Sequence, residues 1–191
     1  MTLQSASLRD ARARVILIGV IGLAVTATLY FVGRAIVKTS SYSTVGLFGV
    51  TSLTGVWSLK SLLSTVALGL AVVQVVLALW MYRKLPGAGV APKRVGLTHR
   101  IVGSVAFVVT LPVAIHCAIA YGVQVTDPRV LIHSIAGCFF YGAFVAKVLL
   151  VQTKRLPGWT LPVAGGILAV LLIVLWYTSA LWYYNGNKLP F

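Results

Sequence analysis

Glutamate is absent from this chain of 191 residues, and aspartate occurs only twice, at Asp10 and Asp127. That scarcity excludes paired-carboxylate catalysis inside a bilayer, a carboxylate proton relay, and calcium or magnesium cages, which need several oxygen ligands. Cysteine is nearly as rare: Cys117 and Cys138 are too few for a disulfide scaffold. Charged residues make up 9% of the chain, against about a quarter in a soluble domain. What is abundant is apolar surface, with 59% hydrophobic residues and a mean hydropathy of +0.97. The chain therefore reads as an integral membrane protein of one domain rather than a soluble, disordered or nucleic-acid-binding one.

Five apolar stretches meet the length of a membrane crossing, about 20 residues each. They run over 15–37, 61–82, 98–123, 130–152 and 160–184. The first is too long for the apolar region of an ordinary secretory signal and is taken as a membrane helix. The fold class expected is all-α: an integral membrane bundle of five transmembrane helices, with a four-helix core and a peripheral first helix.

The sixteen Lys and Arg residues, giving a net charge of +14, are distributed unevenly. Arg9, Arg12 and Arg14 precede the first span. Arg83, Lys84, Lys93, Arg94 and Arg100 lie between the second and third, and Lys154 and Arg155 between the fourth and fifth. The positive-inside rule puts these segments in the cytoplasm. The expected location is the cytoplasmic (inner) membrane, with the N-terminus inside and the C-terminus outside. The excess charge then contacts anionic headgroups, and no nucleic-acid partner is implied.

Two short stretches echo each other, Arg83-Lys84-Leu85-Pro86-Gly87 and Lys154-Arg155-Leu156-Pro157-Gly158. Cations complement the negative end of a helix dipole, and Pro and Gly stop the helix. Two similar stop signals are preferred to a duplicated helix pair, because the similarity hardly extends into the helices. The segment 38–60 mixes Ser, Thr and Gly with Leu47, Phe48, Val56 and Trp57. It is expected to lie on the membrane surface or fold over the helix ends. The short connection after the third span predicts a tight antiparallel hairpin of helices three and four.

Ionisable groups at depth in a membrane are functional candidates by default. His116 and His133 flank the turn between the third and fourth spans, and counting back from it puts them at similar depth. Two imidazoles on opposite faces of a porphyrin make a low-spin electron-transfer haem, and bundle cores commonly hold such cofactors. A zinc site would need further ligands. Cys117 points elsewhere on its helix than His116, and Cys138 lies deeper. Gly137 follows His133 by four residues and Gly103 follows His99 by four, leaving room on the same helix face. Arg34, Lys38, Lys60 and Arg129 gather toward the outer side, where charge-assisted bonds to haem propionates would be strong. Histidine also bonds neighbouring membrane helices without any cofactor, and the cations are equally readable as snorkelling residues.

His99 opens the third span at the other side of the membrane and cannot share a metal with the other two. It reads first as an interfacial histidine and alternatively as a ligand of a second haem, with Met81 and Lys147 at compatible depth. Lys147 is expected to snorkel and Gln74 to bond between helices. Pro112 interrupts the hydrogen-bond ladder one turn before His116.

His99-Arg100-Ile101-Val102-Gly103, Leu111-Pro112-Val113-Ala114-Ile115-His116, and His133-Ser134-Ile135-Ala136-Gly137 resemble a family of small five-helix actinobacterial membrane proteins of unknown activity. Tyr141–Lys147 and Arg155–Trp159 share the resemblance. His-Arg-x-x-Gly opening a helix is more distantly similar to transmembrane b-type cytochromes of the ascorbate-reducible and ferric-reductase-like kind, which bind two haems with four histidines. This resemblance implies His99, His116 and His133 as candidate ligands; the chain has three histidines where those families use four.

The function expected is that of a b-type haem protein, an oxidoreductase electron-transfer subunit. It would hold one haem b, with a second conceivable at His99. Electrons would pass between a membrane donor such as a quinol and an extracytoplasmic redox carrier or a larger respiratory complex. The alternatives are a cofactor-free structural or assembly subunit and, more weakly, a small transporter.

Overall fold

The structure is a computed structural model that describes residues 2–37 and 46–189. Five helices long and apolar enough to cross a membrane account for the fold. They are α1 (Thr2–Val37), α2 (Leu53–Met81), α3 (Lys93–Ala120), α4 (Pro128–Gln152) and α5 (Thr160–Trp176). Helix α5 continues through a π-helical turn, Tyr177–Leu181, into a last helical turn, Trp182–Tyr184. The helices alternate in direction. One face of the bundle therefore carries the start of α1 and the α2–α3 and α4–α5 loops, and is called here the N-terminal face. The opposite, C-terminal face carries the α3–α4 turn and the end of the chain.

Helix boundaries follow local chemistry. Ser52 caps α2, its hydroxyl accepting from Gly55 N–H at 3.3 Å, which starts the helix eight residues ahead of the apolar run at Ser61. Asp127 caps α4 by accepting from Val130 N–H at 3.0 Å, with Pro128 in the first turn. At the end of α2, Arg83 N–H bonds Trp80 O and Lys84 N–H bonds Leu79 O, with Arg83 at φ 56°. This is the double bond of a left-handed C-terminal cap. The echoed stretch after α4 turns differently: there Arg155, aligned with Lys84, is the left-handed residue at φ 59°. The two stretches thus end their helices with different geometry.

Packing departs from the sequence expectation at one interface. The backbones of α2 and α3, of α4 and α5, and of α1 and α4 pack closely, and α2 also packs on α5. Helices α3 and α4, expected as a tight hairpin, are instead held apart by large side chains. Phe107 of α3 stacks on Phe144 of α4, with centroids 3.7 Å apart and planes at 8°. Next to them the Tyr141 hydroxyl donates to Thr110 O at 3.2 Å and lies 3.0 Å from Thr110 Oγ1. Aromatic bulk at these positions prevents the close approach that small residues allow. Tyr141→Phe should lower stability by about 1 kcal/mol, the usual net worth of one internal hydrogen bond. A chemical unfolding titration in detergent measures it, and an unchanged midpoint would show that the hydroxyl contributes nothing.

Helix α1 flanks α4 and leaves its other side open, with Ile16, Leu17 and Phe31 at least 60% exposed to the surroundings. A lipid phase covers such a face without penalty. Its contact with α4 is close because glycines meet: a Cβ on Gly22 would lie 2.9 Å from Gly142 O, and one on Gly142 would run into Gly22 O and Thr26. Near the C-terminal face, Val123 N–H donates to Gly33 O at 3.0 Å, tying α1 to the α3–α4 turn.

Between α1 and α2, residues 46–50 form a tight turn closed by reciprocal bonds of Leu47 and Val50, with Phe48 and Gly49 both at positive φ. Leu47 is buried, and the turn lies against the C-terminal half of α3. Residues 38–45 of the segment expected as a surface or lid element lie outside the described residues.

Candidate functional site

The C-terminal face gathers one histidine from α3 and one from α4 with their polar neighbours. His133 of α4 places Nδ1 2.9 Å from Thr178 Oγ1 of the π-helical turn. The Thr178 hydroxyl already donates to Val174 O at 2.7 Å, so toward the imidazole it acts as acceptor. Hydrogen-bond bookkeeping therefore assigns the proton to Nδ1 and leaves the lone pair on Nε2. This is how a protein fixes a ligating histidine, by holding its second nitrogen on an acceptor.

The π-helical turn also shapes the partner of Arg129. A wide turn disturbs the regular backbone ladder, and Arg129 NH1 donates to Thr178 O at 2.9 Å. The guanidinium carbon sits 4.0 Å from the centroid of the Trp182 ring, a cation–π contact. Trp182 meets Trp57 of α2 edge-on at 6.1 Å. One threonine thus holds two α4 side chains, one through its hydroxyl and one through its carbonyl.

His116 of α3 is buried, 4% exposed, and its ring lies 5.7 Å from that of Tyr121. It also lines a cavity of about 460 Å³ bounded by the turn at Gly46–Phe48 and by Leu111, Pro112 and Ile115. The Lys60 ammonium of α2 lies 4.4 Å from the Tyr121 ring centroid. The charges of Lys60 and Arg129 both bear on His133. His116, Tyr121 and Lys60 are thus linked through the Tyr121 ring, and His133 and Arg129 through Thr178, at the same face of the bundle.

The other residues singled out in the sequence lie elsewhere or have other partners. Arg34 of α1 donates to Val123 O at 3.2 Å and clamps the α3–α4 turn. Lys38 lies outside the described residues. Gly137 faces α5, where a Cβ would meet Leu175 at an ordinary 3.8 Å. Gly103 offers no vacant cradle, because the Gln74 side chain fills it: a Cβ there would sit 2.9 Å from Gln74 Oε1. Gln74 Nε2 donates to His99 O at 2.8 Å, the interhelical bond expected of it. Met81 lies beside Gly96 of α3, where a Cβ would sit 3.9 Å from its sulfur. Cys117 and Cys138 are both free thiols.

Thr178, Tyr121 and Trp182 were not singled out from the sequence. Thr178 stands 45 positions from His133, and only the irregular turn aims it. The run Tyr177-Thr178-Ser179 in an otherwise apolar span was the available signal.

Two imidazoles at one end of the bundle, one of them held by a hydrogen bond, are ligands a haem would accept; Lys60 and Arg129 are cations of this face, which Arg129 shares with the Asp127 carboxylate. Among the described residues no group of three or more His, Cys, Asp or Glu comes together to hold a metal ion, so a site here would rest on the imidazole pair. Residues 15–191 match a family described as a family of unknown function, DUF6529, and the chain belongs to that family. No curated protein and no solved structure matches the chain.

Proposed function

We propose that this member of the family is a membrane electron-transfer protein in which His116 and His133 ligate one b-type haem near the C-terminal face. The carrying observation is the hydrogen bond from His133 Nδ1 to Thr178, which leaves Nε2 as a ligand at the same end of the bundle as buried His116. Bound haem would supply a one-electron carrier at that depth.

The chain's own residues have distinct duties in this reading. Thr178 fixes the His133 tautomer and ring plane. Lys60 and Arg129 favour anionic groups at the site, and the Arg129 contact with Trp182 keeps that charge at the face. The basic segments put the N-terminal face in the cytoplasm. The site then lies toward the extracytoplasmic side of an inner membrane, accessible to a quinol in the bilayer and to an outer redox carrier.

A reduced-minus-oxidised spectrum with pyridine haemochrome quantification tests the reading. Protein purified from haem-replete cells should carry about one haem per chain, with low-spin bis-histidine bands. Colourless, folded protein would end it.

A second reading has its own support. Gln74–His99, His133–Thr178, Arg129–Thr178 and Trp176–Thr65 are all hydrogen bonds between helices, as a cofactor-free structural or assembly subunit would need. Such a protein would assemble with its partners whether or not haem is supplied.

A further inference from the structure

Helices α1 and α5 both pack on α4 but barely on each other. Between them the structure leaves a cleft of about 300 Å³. It runs from Val15, Leu150 and Trp159 near the N-terminal face to Leu23, Phe139 and Ile167 deeper in the bundle. Small residues keep it open: a Cβ on Gly19 of α1 would meet nothing within 4 Å, and Ala143 and Ala164 line the α4 and α5 sides. The lining stretches Val15–Leu23 and Phe139–Leu150 rise about 12 and 16 Å, roughly half of a hydrocarbon core about 30 Å thick. The cleft thus belongs to the leaflet on the N-terminal side. A partner helix would need a groove across the whole membrane, whereas one acyl chain fits within a leaflet.

The mouth of the cleft is basic. Arg12 lies one turn before Val15 and seven residues before Gly19, which puts it on the cleft side of α1. Arg155 belongs to the short loop that joins α4 to α5, between Leu150 and Trp159 of the lining, and its φ of 59° sets it in a left-handed turn. Both cations are exposed. The start of α5 brings the positive end of a helix dipole to the same place, with no capping side chain and no acidic residue in its first turn. Asp10 is exposed on α1, about 200° around the helix from Arg12, and so lies on the other side. Trp159, 58% exposed at the mouth, is a ring of the kind that settles at headgroup level.

An apolar cleft that opens on lipid is filled by hydrocarbon, because an unfilled one forfeits dispersion contacts along its walls. The charge at its mouth then selects the amphiphile. We infer that the α1–α4–α5 cleft binds an anionic glycerophospholipid of the leaflet on the N-terminal side, with one acyl chain between α1 and α5 and its phosphate held by Arg12 and Arg155. Arginine suits this end, since its planar fork meets phosphate oxygens two at a time. Gly19 and the alanines opposite set the width of the slot, and the two arginines set the headgroup charge. The lipid joins α1 to α5 where the protein itself barely does. The inference does not rest on the haem reading, and its assay does not follow colour.

The test is thermal unfolding of the purified full chain in a neutral maltoside detergent, followed by tryptophan fluorescence. Phosphatidylglycerol or phosphatidylcholine with the same acyl chains is titrated into the micelles. Phosphatidylglycerol should stabilise at the lower concentration, and inorganic phosphate at matched ionic strength should not stabilise, because it cannot occupy the cleft. Arg12→Gln and Arg155→Asn should each weaken the phosphatidylglycerol response about fivefold, the worth of one cation at an anionic lipid surface. Asparagine is chosen at 155 because it tolerates the left-handed backbone. Lys84→Gln, in the other loop of the same face, should respond like the parent. Gly19→Leu keeps every charge but fills the slot, and should abolish the preference for phosphatidylglycerol. Gly69→Leu, equally free of neighbours on α2, should keep it. Equal stabilisation by the two lipids would overturn the inference, as would stabilisation by phosphate alone, a Gly19→Leu response equal to the parent's, or a Lys84→Gln loss as large as those of Arg12→Gln and Arg155→Asn. If Gly19→Leu does not fold, Ala164→Leu fills the slot from α5 and decides by the same criteria.

Discussion

Gly142→Leu should unseat α1 from the bundle. The obstacle at this position is backbone and a locked side chain, not a flexible tip. The first atom of any side chain on Gly142 would meet Gly22 O and Thr26 Oγ1. Thr26 cannot turn aside freely, because its hydroxyl donates to Gly22 O at 3.0 Å. The two helices must separate, and α1 has little else to hold it beyond the link from Gly33 and Arg34 to Val123. Overpacking typically costs about 1–3 kcal/mol and occasionally more; a clash of backbone against backbone belongs at about 3 kcal/mol or above. Gly69→Leu is the control, since nothing lies within 4 Å of a Cβ there. Unfolding in a denaturing detergent should show a large loss for Gly142→Leu and almost none for Gly69→Leu. Equal midpoints would mean that the glycine contact does not hold α1.

The number of helices and their alternation were legible in the sequence, because a bilayer demands apolar runs of set length and the chain has few other signals. The five spans start or end near the expected residues for that reason. The start of α2 was not legible: Leu53–Lys60 is too polar to read as membrane helix, yet the Ser52 cap begins it there. The spacing of α3 and α4 was hidden for a different reason. A short connection fixes which helices follow each other, whereas their separation depends on how Phe107, Tyr141 and Phe144 interlock.

The candidate site was legible as residues but not as partners. Counting from the Asp127 turn put His116 and His133 at one end. It did not say that His133 would turn to α5, because the aiming group, Thr178, depends on a π-helical turn that no periodicity announces. Glycine spacing misled at Gly103, where the free helix face is filled by Gln74 from a neighbouring helix. Lys147 reads as a snorkelling cation only while α5 is ignored; a Cβ on Gly165 would lie 3.9 Å from its Nζ.

The His133–Thr178 bond carries the proposed function and yields its most discriminating result. In His133→Ala the ligand itself is gone, and haem should be lost from protein that still folds. Imidazole added to the buffer should restore part of the low-spin spectrum, because the missing group is then supplied from solution. Thr178→Val keeps the ring and removes only its acceptor. The imidazole can then rotate and exchange tautomers, so haem should still bind, but about 10–100-fold more weakly, the usual cost of losing a partner that orients a metal ligand. Arg129 still donates to the backbone carbonyl of residue 178, so this change isolates the hydroxyl. His99→Phe lies at the other face and should leave the spectrum unchanged. Haem titration of the three variants, followed at the Soret band, gives the ordering. Equal haem affinity in all three, or loss of haem only in His99→Phe, would remove His133 as a ligand and leave its bond to Thr178 as a link between α4 and α5.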